Sequence, residues 1–201
     1  MMKSWLLSFS LLCAIAGCGG SNSTAKPIPE PTKQHQPGKY LFAAVYENHS
    51  WLHTRKGFVI KGNGDLYYFD LSDTTATLPA AEQASEAELT RFFEAARFEF
   101  VQTVPAEQLN QLWLQGRDLS NNTLGKEQSS CRDAGKYQYL MFQPVGNQQY
   151  RQALIYQTGD FRREQQDSKA ELLKDYLVKQ AVKLQIAYIL DPDGNNWCSG
   201  L

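Results

Sequence analysis

The chain has 201 residues, of which 42% are hydrophobic and 20% are charged, and its formal net charge is −1. The near balance of 20 basic and 21 acidic residues excludes a protein that binds nucleic acid through bulk positive charge. The apolar content excludes a wholly disordered chain, and four cysteines are too few for a small scaffold held together mainly by disulfides.

The first residues of the chain predict an export signal. Lys3 supplies a positive start, and residues 5–16 form an apolar segment that only two serines interrupt. This segment is shorter than the roughly 20 apolar residues that a transmembrane helix needs, and its length is typical of a secretory signal peptide. We therefore expect residues 1–17 to be removed from the mature protein.

The end of this signal carries a lipid-attachment motif. Ile15, Ala16, Gly17 and Cys18 resemble the lipobox of bacterial lipoproteins. The resemblance implies cleavage between Gly17 and Cys18, a diacylglycerol on the Cys18 sulfur, and a further acyl chain such as palmitate on the new amino group. Gly19 follows where an aspartate would retain the protein at the inner membrane. The resemblance thus implies an anchor in the outer membrane, with the domain facing the periplasm.

A tether separates the lipid from the folded domain. Residues 18–38 begin with the lipidated cysteine and continue with glycine, serine, proline and polar residues, without any apolar period. Such a composition predicts a flexible, partly extended linker. Residues 39–201 are enough to bury one sizeable core, so we expect a single globular domain there.

The cysteines divide according to this organisation. Cys13 leaves with the signal peptide and Cys18 carries lipid, so only Cys131 and Cys198 remain in the domain. An exported protein folds in an oxidising compartment, and we therefore expect these two residues to form a disulfide. A reactive thiol or a metal ligand stays open as an alternative for either cysteine.

Apolar runs along the domain predict about five strands. The predicted strands are residues 40–46, 57–61, 66–70, 136–143 and 150–157. Gly62-Asn63-Gly64-Asp65 lies between the second and third strands and is a strong signal for a tight hairpin. Residues 144–147, which include a proline and a glycine, predict the turn of a second hairpin.

Three helices are predicted between and after these strands. Ser85 with Glu88, and Ser168 with Glu171, have the spacing of capping boxes, and Pro105 suits the first turn of a helix. Apolar residues then follow at helical spacing in each segment. These stripes comprise Leu89, Phe92, Phe93 and Ala96; Leu109, Leu112 and Trp113; and Leu172, Leu173, Tyr176, Leu177, Ala181, Leu184 and Tyr188. Hairpins with segregated helices predict an α+β fold, an antiparallel sheet with helices packed on it.

One further resemblance covers part of this domain. The predicted strand 150–157, the turn Thr158-Gly159-Asp160 and the following helix are similar to segments of uncharacterised bacterial lipoproteins. This resemblance carries no diagnostic motif and implies no activity.

The sequence contains no motif that assigns a catalytic centre. The hydrolase elbow G-x-S-x-G, the metalloprotease motif HExxH, the P-loop and the dinucleotide-binding glycines do not occur. Carboxylates can still act as general acid and base when they face each other. If the protein is an enzyme, Glu47, Asp70, Asp73 and His53 are the candidates, and at least two of them should meet in a pocket.

Two other segments suggest metal binding at first sight. His49 and His53 are four residues apart, but their surroundings indicate a loop and no third histidine lies near. Residues 191–195 are rich in Asp and Asn, yet their Pro-Asp-Gly sequence is typical of a turn, and the glycine falls at the wrong position for a calcium loop. We therefore expect no metal and no cofactor.

Aromatic residues are the remaining candidates for a binding surface. On a strand, Tyr67 and Phe69 share one face, while Leu66 and Tyr68 share the other. If the face of Tyr67 and Phe69 is exposed, these rings and Trp51 could stack on sugars or peptides. We name Trp51, Tyr67 and Phe69 as candidate ligand-facing residues.

These observations favour a lipid-anchored envelope protein that binds a ligand without catalysing a reaction, or that helps to maintain the envelope. An inhibitor or immunity protein against an envelope-targeted hydrolase is one alternative, and an enzyme that acts on cell wall or lipid is another. The expected partners are the membrane through the lipid anchor, and an envelope protein or glycan. Nucleic acid is not an expected partner.

Overall fold

A computed structural model describes residues 38–50, 53–131 and 133–186. The strands in these ranges are β1 (Tyr40–Asn48), β2 (Thr54–Lys61), β3 (Asp65–Asp70), β4 (Gln83–Ser85), β5 (Arg97–Thr103), β6 (Gln128–Ser129), β7 (Lys136–Gly146), β8 (Gln149–Gly159) and β9 (Phe161–Glu164). The helices are α1 (Glu86–Phe93), α2 (Ala106–Gly116) and α3 (Lys169–Lys183), with a 3-10 turn at Asn121–Thr123. The signal peptide, nearly all of the tether, Trp51, Cys198 and the predicted turn at 191–195 lie outside the described residues.

The strands form an antiparallel sheet in the order β5-β3-β2-β1-β7-β8-β9-β6. The apolar strand β1 lies near the middle and pairs with β2 on one side and β7 on the other. The outer edge of β8 is shared, because β4 pairs with its first residues and β9 with residues near its end. None of the helices in the described part of the chain has the length and apolar character that crossing a bilayer requires.

Helices cover both faces of this sheet. Side chains of β1 alternate between two separate apolar clusters, because successive residues of a strand point to opposite faces. Leu109 of α2 and Leu173 of α3 belong to one cluster, and Phe92 of α1 belongs to the other. We call the first side of the sheet the α2/α3 face and the second side the α1 face.

Polar side chains complete the edge of β8 between β4 and β9. The Asn121 side chain donates to the carbonyl of Gln152 at 2.9 Å and accepts from the backbone N–H of Leu154 at 2.9 Å. Gln165, which is buried, donates to the carbonyls of Ser120 and Leu154. These amides replace the backbone of a neighbouring strand, so β8 has hydrogen-bond partners between the residues paired with β4 and those paired with β9.

The predicted α+β class is confirmed, but the number of strands was wrong. The described residues form nine strands rather than about five, because β4, β5, β6 and β9 were not predicted. The first hairpin turn lies at residues 62–64, as expected. The second turn lies at Asn147 and Gln148, which both have positive φ. Strand β7 extends to Gly146 and therefore includes most of the predicted turn at residues 144–147. Arg55 and Lys56, which belong to the surroundings of His53 interpreted as a loop, lie in β2.

The predicted helices occur, with three corrections at α3. The capping box of Ser85 and Glu88 is present at α1. Ser168 precedes α3 but makes no side-chain capping bond, and Asp167 accepts from the N–H of Lys169 instead. Leu172 was expected to be buried but is 64% exposed, because the buried stripe of α3 consists of Ala170, Leu173, Leu177 and Ala181. The helix ends at Lys183, earlier than the predicted stripe.

Candidate binding surface

An aromatic surface lies on the α1 face, at the end of the sheet where β3 and β5 pair. We define the aromatic edge as Tyr67, Phe98, Phe100 and Lys61. Tyr67 pairs with Phe100 in the sheet register, and Phe98 follows two residues away on the same face. Helix α1 packs over the neighbouring strands through Phe92 and its cluster, which leaves the outermost rings partly open to solvent.

The rings of the aromatic edge contact one another closely. Tyr67 and Phe98 stack with ring centroids 4.5 Å apart and planes 3° apart. Phe100 meets Tyr67 edge-on at 5.8 Å and is 58% exposed. Large apolar side chains grouped on a surface mark a site of interaction more often than a single exposed leucine does.

Lys61 adds a positive charge to these rings. Its ammonium lies 4.6 Å from the centroid of Tyr67 and 4.9 Å from that of Phe98, within the range of a cation–π contact. The same ammonium forms an ion pair with Glu94 at 3.2 Å, and Lys39 approaches that carboxylate at 3.4 Å. Two ammonium groups thus share one carboxylate, and the group carries a net positive charge.

The protonation of Glu94 reflects its position at the end of α1. Partial burial opposes ionisation, but hydrogen bonds from Lys61 and Tyr40 and the nearby lysine charges outweigh it and lower the pKa of Glu94. Burial is also the main reason that the pKa of Tyr40 is raised. Glu94 is therefore ionised near neutral pH and holds Lys61 over the rings.

The structure describes two of the three predicted ligand-facing residues, and it places them differently. Tyr67 lies in the aromatic edge and is half-buried. Phe69 shares its face, as the alternation predicts, but is 0% exposed because it packs beneath Phe92 and Phe93 of α1. Phe69 is therefore a core residue, and the expectation that it faces a ligand was wrong. Trp51 lies outside the described residues.

Three residues of this surface were missed in the sequence. Phe98 and Phe100 alternate with polar residues in Arg97–Thr103, a pattern typical of a strand with one apolar face. That alternation was a usable signal. The role of Lys61 could not be predicted, because it depends on the pairing of β2 with β3 and on the end of α1.

The candidate acid–base residues do not converge. Glu47 binds Arg55 at 2.8 Å and Lys136 at 3.5 Å. Arg55, which is buried, also donates to the carbonyl of Ala76, so this carboxylate serves a structural ion pair. Asp70 instead accepts hydrogen bonds from the backbone and hydroxyl of Ser72.

The other two candidates are exposed. Asp73 and His53 both lie on the surface, and the cavity described below is lined by different residues. The imidazole rings of His49 and His53 approach edge-on with centroids 4.7 Å apart. No group of three or more His, Cys, Asp and Glu side chains suited to a metal occurs among the described residues. Cys131 is described but Cys198 is not, so their disulfide stays a prediction.

A cavity of about 360 Å³ lies beside the start of α3. It is lined by Ile155, Glu164, Gln165, Gln166, Asp167, Ser168, Ala170, Glu171 and Lys174. Glu164 binds Lys174 of this lining at 2.5 Å, and it also binds Arg162, a neighbour on β9, at 3.2 Å. Burial opposes ionisation of Glu164, but these cations outweigh it, so the pKa of Glu164 is lowered. Among the polar lining residues, Gln165 bonds to Ser120 and Leu154 outside the cavity, so its amide helps to hold the chain and is not free for a ligand.

Comparison with known proteins adds no assignment to this geometry. The chain matches no family model, no curated protein and no solved structure.

Proposed function

We propose that this chain is a lipid-anchored bacterial envelope protein whose domain is a non-enzymatic binding module. The anchor rests on the lipobox-like residues that end in Cys18 and on the linker that follows them. More than one acyl chain gives stable attachment to a membrane, whereas a single chain gives only marginal binding. The linker then lets the domain reach ligands away from the lipid headgroups.

The aromatic edge is the proposed binding surface. The observation that carries this proposal is the exposure of Phe100 beside the Tyr67–Phe98 stack. Folding gives no reason for a large ring to stay in water next to two others, whereas binding a ligand would remove that apolar area from solvent. The backbone holds the rings on paired strands, so little conformational entropy is lost on binding.

The chemistry of this surface favours an acidic glycan as the ligand. The C–H faces of sugar rings are apolar and pack on aromatic rings, whose faces carry partial negative charge. Lys61 and Lys39 together exceed the charge of Glu94, so a carboxylate on the glycan finds a cation beside the rings. The cell wall carries such carboxylates on the peptides attached to its glycan, and it lies within reach of an outer-membrane anchor.

Co-sedimentation with purified cell-wall sacculi tests this proposal. We expect the protein to sediment with sacculi and not with a neutral insoluble glucan. Phe100→Ser should weaken binding by roughly fivefold, because one aromatic contact is lost. The matched control is Phe161→Ser, which removes a ring that is 48% exposed on β9. Equal sedimentation of both variants and the wild type would contradict the aromatic edge as the site.

Lys61→Gln tests the charge of the same surface. We expect weaker binding to sacculi and a smaller dependence on salt, because an ion pair with the ligand is screened by added ions. Lys179→Gln on α3 is the control for a change of net charge elsewhere. If both lysine variants bind sacculi equally well, the ligand is not recognised through its carboxylates at this surface.

A further inference from the structure

The outer edge of β5 is a second feature of this region. Strand β5 ends the strand order of the sheet, and within residues 38–50, 53–131 and 133–186 no strand pairs with that edge. The edge strand of a sheet presents unpaired backbone N–H and C=O groups that can pair with another strand. Most residues of β5 are exposed.

The two faces of β5 differ sharply in chemistry. Arg97 and Glu99 lie on the α2/α3 face, where the guanidinium binds the carboxylate through two contacts at 2.8 and 2.9 Å. Phe98 and Phe100 lie on the opposite face with Tyr67. A strand that pairs with β5 must match both a basic and an acidic residue on one face and rings on the other.

The sequence of β5 is complementary to itself in one antiparallel register. If Phe98 faces Phe98 of a second copy, Arg97 of each copy lies opposite Glu99 of the other. Residues directly opposite on neighbouring strands have Cβ atoms about 4.5–5.5 Å apart, close enough for both ion pairs and for contact between the two rings. This register pairs Arg97, Phe98 and Glu99 of the two strands, and Phe100, diagonal to Phe98 of the second copy, lies opposite Ala96, the residue that precedes β5.

Neighbouring registers lack this match. Centring the pair on Glu99 places two like charges opposite each other, which is destabilising. Centring it on Phe100 places Glu99 opposite Val101 and leaves Arg97 without an opposing acid. The side chains on the two faces of β5 therefore favour one register of pairing over its neighbours.

We propose that β5 binds β5 of a second copy of this chain, in an antiparallel pair centred on Phe98. The resulting two-fold dimer joins the two sheets and brings two aromatic edges side by side. A two-fold interface uses the same patch on both subunits, and the arrangement of Arg97 and Glu99 satisfies that condition. This inference stands independently of the glycan ligand.

Charge reversal with mixing tests the proposal. The full chain in detergent should sediment as a dimer. Arg97→Glu and Glu99→Arg should each weaken self-association by roughly tenfold, because like charges then face each other. An equimolar mixture of the two variants should form a heterodimer, since every opposing pair is again of opposite charge. The double variant should dimerise like the wild type.

These outcomes separate a second copy from other occupants of the edge. A change in stability within one chain cannot restore association on mixing, so failure of the mixture to dimerise would overturn the proposal. A wild-type chain that stays monomeric would also overturn it. If the β5 backbone amides of that monomer are protected from hydrogen exchange, another segment of the same chain covers the edge.

Cysteine cross-linking tests the register. Phe98→Cys should form a disulfide-linked dimer under mild oxidation, because the two positions lie directly opposite. Val101→Cys is the matched control, an exposed residue of the same strand that this register places roughly 20 Å from its counterpart. Equal cross-linking at both positions, or none at position 98, would contradict the register.

Discussion

Tyr67 and Phe98 stack face to face across β3 and β5, with planes 3° apart and centroids 4.5 Å apart. Lys61 lies over both rings, and Phe100 extends them into solvent. The stack lies beside the end of α1, whereas Phe69, two residues from Tyr67, lies beneath that helix. A ring on this face therefore belongs to the core when it lies beneath α1, and to the surface when it lies beside that helix.

We expect the side chain of Asn121 to be essential for stability. Asn121→Ala removes both hydrogen bonds to the backbone of β8 and should lower the free energy of unfolding by about 1–3 kcal/mol, because the Gln152 carbonyl and the Leu154 N–H lose their partner. Urea denaturation measures this loss. Asn122→Ala, which changes an exposed neighbour, should stay within about 0.5 kcal/mol of the wild type. Equal values for the two variants would contradict this role of Asn121.

Tyr139 provides a contrasting case of a buried hydroxyl. Its ring is fully buried, and its hydroxyl has no hydrogen-bond partner in the described part of the chain. Tyr139→Phe should leave the free energy of unfolding unchanged or raise it by up to about 1 kcal/mol, because an unpaired hydroxyl is costly to bury.

Tyr150→Phe is the matched control for Tyr139. The Tyr150 hydroxyl accepts from the N–H of Lys39 at 2.7 Å and donates to Glu86 at 3.0 Å. Its loss should cost about 1 kcal/mol in the same urea titration. Greater destabilisation by Tyr139→Phe than by Tyr150→Phe would show that the Tyr139 hydroxyl has a partner.

The ion pair of Glu164 and Lys174 predicts a dependence of stability on acid. The pKa of Glu164 in the folded protein lies below its usual 4.5, so the pair stabilises the fold fully above pH 4.5 and loses this contribution as the pH falls through the folded pKa. The difference in Tm between wild type and Glu164→Gln should therefore shrink on acidification. The control is Glu171→Gln at an exposed position of α3, which should change Tm less than Glu164→Gln does at neutral pH. A Tm difference for Glu164→Gln that stays constant with pH would contradict the assignment.

Lipid attachment predicts a clear result in cell fractionation. Cys18→Ala removes the sulfur that the lipobox-type resemblance assigns to diacylglycerol. We expect an uncleaved or soluble product, whereas the wild type should fractionate with membranes and carry the added mass of acyl chains. Cys13→Ala is the control, because that cysteine lies within the predicted signal peptide. Membrane fractionation of Cys18→Ala at the wild-type level would show that the anchor lies elsewhere.

The strands predicted from the sequence were those with long apolar runs or a distinct turn. Gly62-Asn63-Gly64 indicated the first hairpin because few residues adopt the backbone of such a turn, and Gly64 has φ of +90°. Short strands such as β6, with two residues, are defined only by their partners in the folded sheet. No local pattern could predict them.

The candidate surface was predicted in part for a similar reason. Alternation correctly assigned Tyr67 and Phe69 to one face, but their depth depends on where α1 crosses the sheet. Phe98 and Phe100 joined Tyr67 only through the pairing of β3 with β5, a contact between segments about thirty residues apart. The failed capping box at Ser168 shows the same limit, since Asp167 takes the capping contact there.

The central claim is that the aromatic edge binds an acidic envelope glycan, and NMR of the aromatic and methyl side chains tests it most directly. Titration with soluble carboxylate-bearing cell-wall fragments should shift the ring signals of Tyr67, Phe98 and Phe100, while Phe161 on β9 stays unchanged. Shifts confined to residues of the cavity beside α3, such as Ile155 and Ala170, with the aromatic edge unmoved, would contradict the claim.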